Sequence, residues 1–393
     1  MKILFLSYYY TPDLSAGSFR ASRLVKALLR EIPQDAHIDV ISTLPNRYKS
    51  FSVQADTQEN SSQLSIYRLP VTSHKSGVLD QAKAYTRYVK QVLNQVKNEE
   101  YDLVVGTSSR LMTAVLSAYV ARKKNAELYL DIRDIFVDTI KHIVPTWAKI
   151  PVKLVFKPLE IFALRRAKKV NLISQGFKEY FEQRFPEQQY SYYSNCVDSE
   201  FVSLAPEEKP VEVDRRLLVV YAGNIGEGQG LHKVLIDLAT RLQDQIRFRI
   251  IGDGGRRDVL LEGIQQAGLN NIELVSPIDR LELRSEYHHA DILFVHLNDY
   301  DAFEKVLPSK IFEYAATGKP IWAGVAGFAA TFLESEVENA AIFTPCDARS
   351  AVVAFDDLKL GVTARDEFVD KFSCELILTG MAKDVLSTVE PQH

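Results

Sequence analysis

The feature that most limits the fold is an alternation running from one end of the chain to the other. Short apolar runs rich in β-branched residues are each followed by an amphipathic stretch, which predicts strands with helical crossovers and hence parallel α/β layers. In the first half the expected strands are 3–7, 38–42, 65–69, 103–106, 128–132, 170–174 and 190–194. In the second half they are 217–222, 247–251, 272–275, 292–296, 320–324 and 341–343. Each set makes one doubly wound sheet. Residues 197–216 between them are acidic, Pro-containing and aperiodic, as a linker would be. The expected division is an N-terminal domain at 1–199 and a C-terminal domain at 200–374, with a helix at about 375–393 placed to pack back on the first.

A chain of 393 residues with 46% hydrophobic and 25% charged content can bury two such cores. Its net charge of −4 gives no general attraction for nucleic acid, and no basic stripe with interleaved aromatics points that way. Cys196, Cys346 and Cys374 are far apart, odd in number and in no metal-ligand spacing. The sequence therefore predicts neither a disulfide framework nor a zinc site, and fits a reducing cytoplasm. Lys2 is followed by too short an apolar run for a signal segment, and no run is long enough to span a bilayer. The expectation is a chain neither exported by a signal nor threaded through a membrane.

Chemistry concentrates where strands end. "VLPSKIFEYAATGKPI", 306–321, reads as a helix from Pro308 to Thr317. Lys310 and Glu313 share a face, and a cation in a first helical turn is disfavoured. An internal Lys310–Glu313 pair, worth a few tenths of a kcal/mol, is one explanation. The favoured one places a phosphate on Lys310 and ribose hydroxyls on Glu313. "LVVYAGNIGEGQGLHKVLIDLA" follows a strand with Gly223, Gly226, Gly228 and Gly230, and "IRFRIIGDGG" repeats the design with Gly252, Gly254 and Gly255. Glycine turns at strand ends suit a backbone lying against phosphates. "MKILFLSYYYTPDLSAGSFRASRLVKALL" places Gly17 in a third strand-to-helix turn, read either as an anion site or as a plain connection. "LYLDIRDIFVDTI" sets Asp131, Arg133, Asp134 and Asp138 at a strand's carboxyl end, the ligand side of an open sheet. A solvated or Arg-paired acidic turn is the alternative there. His288 and His289 read as a surface pair. Asp299-Tyr300-Asp301 spells D-x-D, but the two-halved layout argues against a metal site, and none is expected.

The order of glycine turn, "IGDGG" and "PSKIFEYAATGKPI" resembles the family 4 glycosyltransferases of GT-B fold, most closely their WbuB-like, L-fucosamine transferase-like branch. The resemblance implies two Rossmann-like domains facing a central cleft, with a nucleotide-sugar on the second and the acceptor on the first. It implies donor contacts from Gly17, Gly223, Asn224, Gly226, Gly252, Gly254, Ile278, Ser309 and Lys310, and a ribose-binding role for Glu313. The first position of the family's E-x7-E pair is Lys305 here, with Glu304 one residue out of register. Asn224 and Gln229 stand where the family carries basic residues, which makes Lys310 the substitute on the diphosphate. Asp134 would face the donor sugar or acceptor hydroxyl, so Asp134 and Lys310 are the expected catalytic residues. Retained anomeric configuration, no cofactor and no metal follow by the same resemblance. So do a UDP-linked N-acetylamino sugar and a polyprenyl-diphosphate-linked glycan acceptor, as in O-antigen or capsule synthesis.

Residues 141–170, "KHIVPTWAKIPVKLVFKPLEIFALRRAKKV", gather basic groups around aromatic ones. Trp147, Lys149, Lys153, Phe156, Arg165 and Arg166 are the expected contacts with an anionic membrane surface on its cytoplasmic face. A core helix with snorkelling lysines is the competing reading. A UDP-sugar 2-epimerase of similar layout and a non-catalytic sugar-nucleotide-binding protein are the alternative functions.

Overall fold

The computed structural model describes residues 1–46, 53–71, 78–108, 110–137, 149–202 and 216–389. The chain divides into two compact units, Met1–Ser194 with Glu375–His393, and Asn195–Cys374.

Unit 1 is built on an eight-stranded sheet. Its strands are β1 (Lys2–Leu6), β2 (His37–Thr43), β3 (Gln58–Asn60), β4 (Leu64–Leu69), β5 (Leu103–Ser108), β6 (Glu127–Ile132), β7 (Lys169–Leu172) and β8 (Gln189–Ser191). They lie in the order β3-β4-β2-β1-β5-β6-β7-β8, parallel except for β3, which runs antiparallel to β4. All three residues of β3 are exposed and polar, so no hydrophobic pattern announces that strand in the sequence. Strand order reverses between β1 and β5, and ligands in open α/β sheets sit outside the strand ends at such a switch. The C-terminal helix Cys374–Leu386 is tied to this sheet by Asp384, which accepts from Tyr129 Oη at 2.9 Å and Lys169 Nζ at 2.8 Å.

Unit 2 carries a six-stranded parallel sheet in the order β11-β10-β9-β12-β13-β14. These are β9 (Leu217–Ala222), β10 (Ile246–Ile251), β11 (Ile272–Val275), β12 (Ile292–His296), β13 (Ile321–Gly324) and β14 (Ala340–Phe343). Alternation along β9 shows why the sheet is covered on both faces: Leu218, Val220 and Ala222 enter one core with Phe312 and Tyr314, while Val219 and Tyr221 enter the other with Phe248 and Trp322. The reversal between β9 and β12 marks this unit's switch point.

One expectation is overturned. Cys196 and Cys374 form a disulfide across 178 residues of sequence. A parallel bridge between Val197 and Ser373, with Val197 N–H donating to Phe372 O at 2.7 Å and Cys374 N–H to Val197 O at 3.1 Å, sets the two chain passages side by side. Sequence spacing carries no trace of that juxtaposition, and cysteine usage no longer argues for a reducing compartment.

Candidate functional site

The two glycine turns of unit 2 interlock at the carboxyl ends of β9 and β10. Gly223 N–H donates to Ile251 O and Ile225 N–H to Asp253 O, each at 2.8 Å. Gly252 has φ +149, and a Cβ there would collide with the Gly223 carbonyl, so backbone meets backbone with no room for a side chain. Gly226 opens the 3-10 turn Glu227–Gln229, and Gly254 continues the second turn with φ +155. Asn224 Nδ2 donates to Gln229 Oε1 at 2.7 Å, so the two polar side chains of this turn are bonded to each other.

Lys310 lies over this crossing. It is the first residue of the helix Lys310–Ala316, which is shorter at both ends than the sequence suggests. A Cβ on Gly223 would fall on Lys310 Cε and Nζ, so the glycine admits the lysine as well as the turn. The ammonium stands 5.8 Å from the Tyr221 ring centroid and makes no hydrogen bond or ion pair with any described residue. Glu313, the partner in the simplest structural explanation, does not pair with it and instead accepts weakly from Tyr287 Oη at 3.5 Å. Loss of water lowers the Lys310 pKa, against which Glu313 exerts a smaller upward pull. Tyr314 Oη, accepting from Ala222 N–H at 3.3 Å, fixes the helix to the end of β9. Ser309 precedes the helix without a capping hydrogen bond, and Ile278 packs half-buried against the core on the Tyr287 side.

A brace that sequence reasoning missed stiffens the loop. Glu227 accepts from Arg256 Nε and from Tyr300 Oη, each at 2.6 Å. Tyr300, the middle of D-x-D, is thereby turned to the glycine loop, and among the described residues no carboxylate, histidine or cysteine cluster is gathered for a metal. Buried His296 donates from Nδ1 to Gln229 O at 2.6 Å and accepts Cys346 N–H on Nε2 at 2.9 Å. Burial holds its pKa down at about 4, so the ring stays neutral in one tautomer.

In unit 1 the acidic turn separates by role. Asp131 is buried and takes Arg20 through Nε at 2.9 Å and Nη2 at 3.1 Å, with Asn171 Nδ2 at 2.7 Å. Burial alone would raise its pKa, but Arg20 above all, then the charge of Arg133 and the hydrogen bond from Asn171, bring it below the ordinary value. Asp131 is a structural pin. Asp134 is exposed two residues beyond β6, and Asp138 lies outside the described residues. Gly17 sits in the first turn of the helix Ala16–Glu31, next to Arg133. The fold thus brings the Gly17 and Arg133–Asp134 turns together in unit 1, and Gly223, Asn224, Gly226, Gly252, Gly254 and Lys310 in unit 2.

The basic segment is described from the helix Lys149–Arg166 onward; Trp147 lies outside the described residues, as does the Lys149 side chain. Two expected contacts turn inward. Phe156 packs edge-on against Phe136 at 5.2 Å, and Arg166 Nη2 donates to Ala126 O at 2.6 Å. Apolar exposure falls instead on Ile150 at 73%, Leu154 at 69% and Val155 at 59%. Lys153 and Arg165 are exposed and, with Lys157 and Arg122, edge an apolar groove of about 810 Å³ that includes Ile150 and Leu154.

Residues 206–370 match the family model described as glycosyl transferases group 1. The chain is 34% identical over 106 residues to the putative colanic acid biosynthesis glycosyl transferase WcaI of Escherichia coli (strain K12). That match spans 27% of this chain and 26% of the relative, about a quarter of its length. Among solved structures, a sucrose-phosphate synthase from Thermosynechococcus elongatus superposes with a TM-score of 0.75 at 15% identity, over 98% of each chain. Anabaena HepE, solved in complex with UDP, superposes at 0.56 and 18% identity over 99% of this chain and 97% of its own. These likenesses establish the GT-B fold.

Proposed function

We propose that the chain is a glycosyltransferase that moves a sugar from a UDP-sugar to a lipid-linked glycan in surface polysaccharide synthesis. The observation carrying this reading is Lys310: an enclosed ammonium with no hydrogen bond or ion pair among the described residues, laid against the Gly223 turn at the switch point of a Rossmann-like sheet. A diphosphate supplies the missing anion, and the glycines let it approach the backbone. Glu313, unpaired with Lys310, is left to accept from ribose hydroxyls. The group 1 match over this unit and the UDP-bound neighbour support the nucleotide.

In the proposed reaction the bond from the anomeric carbon to the β-phosphate oxygen breaks as the acceptor oxygen bonds to that carbon. Negative charge grows on the departing phosphate, where Lys310 stabilises it without a metal. Attack on the same face retains configuration and lets the departing phosphate take the acceptor's proton, with Asp134 oriented to the sugar or acceptor hydroxyl. An N-acetylamino sugar and a polyprenyl-diphosphate carrier complete the reading. The exposed apolar and basic face of Lys149–Arg166 would hold unit 1 on the cytoplasmic leaflet of the membrane.

The test is incubation of the chain with UDP-N-acetylamino sugars, with and without a polyprenyl-diphosphate glycan, in EDTA. UDP released only with acceptor is the expected result. Epimerised donor without acceptor would identify an epimerase, and binding without turnover a non-catalytic protein.

A further inference from the structure

The last residue of β12 breaks the pattern of its strand. Ile292, Leu293, Phe294 and Val295 are apolar core residues, and His296 follows them at 1% exposure. A buried imidazole loses water from both nitrogens and is tolerated only when both find partners. A core histidine can meet that need within its own sheet; His296 meets it from two separate turns. Nδ1 faces the Gln229 carbonyl at 2.6 Å, which can only accept, so Nδ1 carries the proton. Nε2 is then bare and accepts the Cys346 N–H at 2.9 Å. The ring thereby bridges the glycine turn after β9 and the turn after β14.

The surroundings hold the ring to this arrangement. Phe294 lies parallel to the imidazole at 6.1 Å, and Phe343 covers it at 5.9 Å. A Cβ on Gly324 would collide with His296 Cδ2, so glycine in β13 leaves room for the ring. Cys346 adopts φ +62, a left-handed conformation that disfavours a side chain, and in it the N–H meets Nε2. Asn298, two residues past the strand, adds to the hold. Its Nδ2 donates to Glu227 O at 2.7 Å and its backbone N–H to Gly228 O at 2.8 Å. With His296 on Gln229 O, three successive carbonyls of the glycine turn are bound to the end of β12. A carbonyl oxygen turned toward a diphosphate would repel it, whereas N–H groups attract it.

We propose that His296, as the neutral tautomer protonated on Nδ1, is a positioning residue that sets the glycine turn at residues 226–230 for the donor diphosphate. It touches no substrate; it acts by holding the Gln229 carbonyl turned away from the phosphates. The proposal rests on the reading of this turn as the diphosphate site and extends that reading to a buried residue.

The test divides the two hydrogen bonds of the ring between two variants of the full chain. In His296→Asn the side-chain amide keeps a donor near the Nδ1 position but does not reach Cys346. In His296→Gln the longer amide can accept from Cys346 but not donate to Gln229. UDP affinity is read by calorimetry in EDTA and the Tm by thermal unfolding, both at neutral pH. Each variant gives up one bond, so the two Tm values should fall alike. UDP binding should weaken at least tenfold in His296→Gln, and His296→Asn should recover it to within about threefold of wild type. Equal UDP affinity in wild type and His296→Gln, or equal loss in both variants, overturns the proposal and returns His296 to the core. Where a variant fails to fold, the nitrogen NMR signals of the wild-type imidazole decide. Nδ1 should be protonated and Nε2 bare, and bound UDP should shift the Nδ1 signal more than the Nε2 signal. The opposite tautomer, or no such difference at saturating UDP, overturns the proposal. Wild type that binds no UDP removes the donor reading and this proposal with it, whereas full UDP affinity in His296→Gln removes this proposal alone.

Discussion

Lys310 and Asp131 show that an enclosed charge can mean opposite things. Asp131 is matched by Arg20 and Asn171, and removing one member of such a group strands the other. Asp131→Asn should cost about 3–5 kcal/mol at pH 7, read by urea unfolding. Because its folded pKa is depressed, the carboxylate's contribution is full above the ordinary Asp range of about 4 and is lost as pH falls through the lower folded value. The gap between wild type and variant should accordingly narrow at pH 3. Lys310 has no hydrogen-bonded or ion-paired partner among the described residues to strand. Lys310→Ala should leave the Tm of the free protein unchanged or higher, while lowering kcat more than it raises KM for the donor, because its contact strengthens as the phosphate departs. Its depressed pKa adds a sign: donor binding should weaken with rising pH below the ordinary lysine range, and Lys310→Arg should remove that alkaline limb. Glu313→Gln should weaken UDP binding by about 1.5–3 kcal/mol with the Tm retained, since it removes a charged acceptor; unchanged affinity would take Glu313 out of the site. The sequence exposed Lys310 and Glu313 as charges on an apolar helix, which is why both were legible. It could not show that they fail to pair, nor that Arg133 reaches Gly17, because those facts depend on side-chain placement across separate elements.

At the scale of elements, hydrophobic runs identified the parallel strands because strands covered on both faces leave a continuous apolar signature. β3 left none, being polar and exposed at an edge. The glycine turns were legible individually, but their interlocking through Gly223 and Gly252 follows from β9 and β10 being neighbours. The helix Lys149–Arg166 shows where periodicity stops short: its basic content was plain, yet Phe156 and Arg166 turned inward while Ile150 and Leu154 remained exposed. Neutralising Lys153, Lys157 and Arg165 should cost about 1 kcal/mol each in binding to anionic vesicles at low salt, a loss that high salt should imitate. Leu154→Ser should instead weaken binding at both salt levels. Equal binding of wild type to neutral and anionic vesicles would contradict the electrostatic part.

Over the whole molecule, two doubly wound sheets follow from two sets of strand runs, and Lys310 lies where strand order reverses in unit 2. Unit 1 presents Gly17 and Arg133 beyond β1 and β6, and unit 2 presents Gly223 and Lys310 beyond β9. The chain crosses between units twice, at Ser194–Asn195 and Cys374–Glu375, and the Cys196–Cys374 disulfide joins the two crossings. Neither the pairing of those passages nor the paired cysteines could be read from spacing, since contacts across 178 residues arise only once the sheets are assembled. The account stands chiefly on one ammonium awaiting a diphosphate in unit 2. The most direct measurement is the affinity of wild type and Lys310→Ala for UDP, by calorimetry at neutral pH and in EDTA. The account predicts that the variant binds at least tenfold more weakly with an undiminished Tm; equal affinity would contradict it.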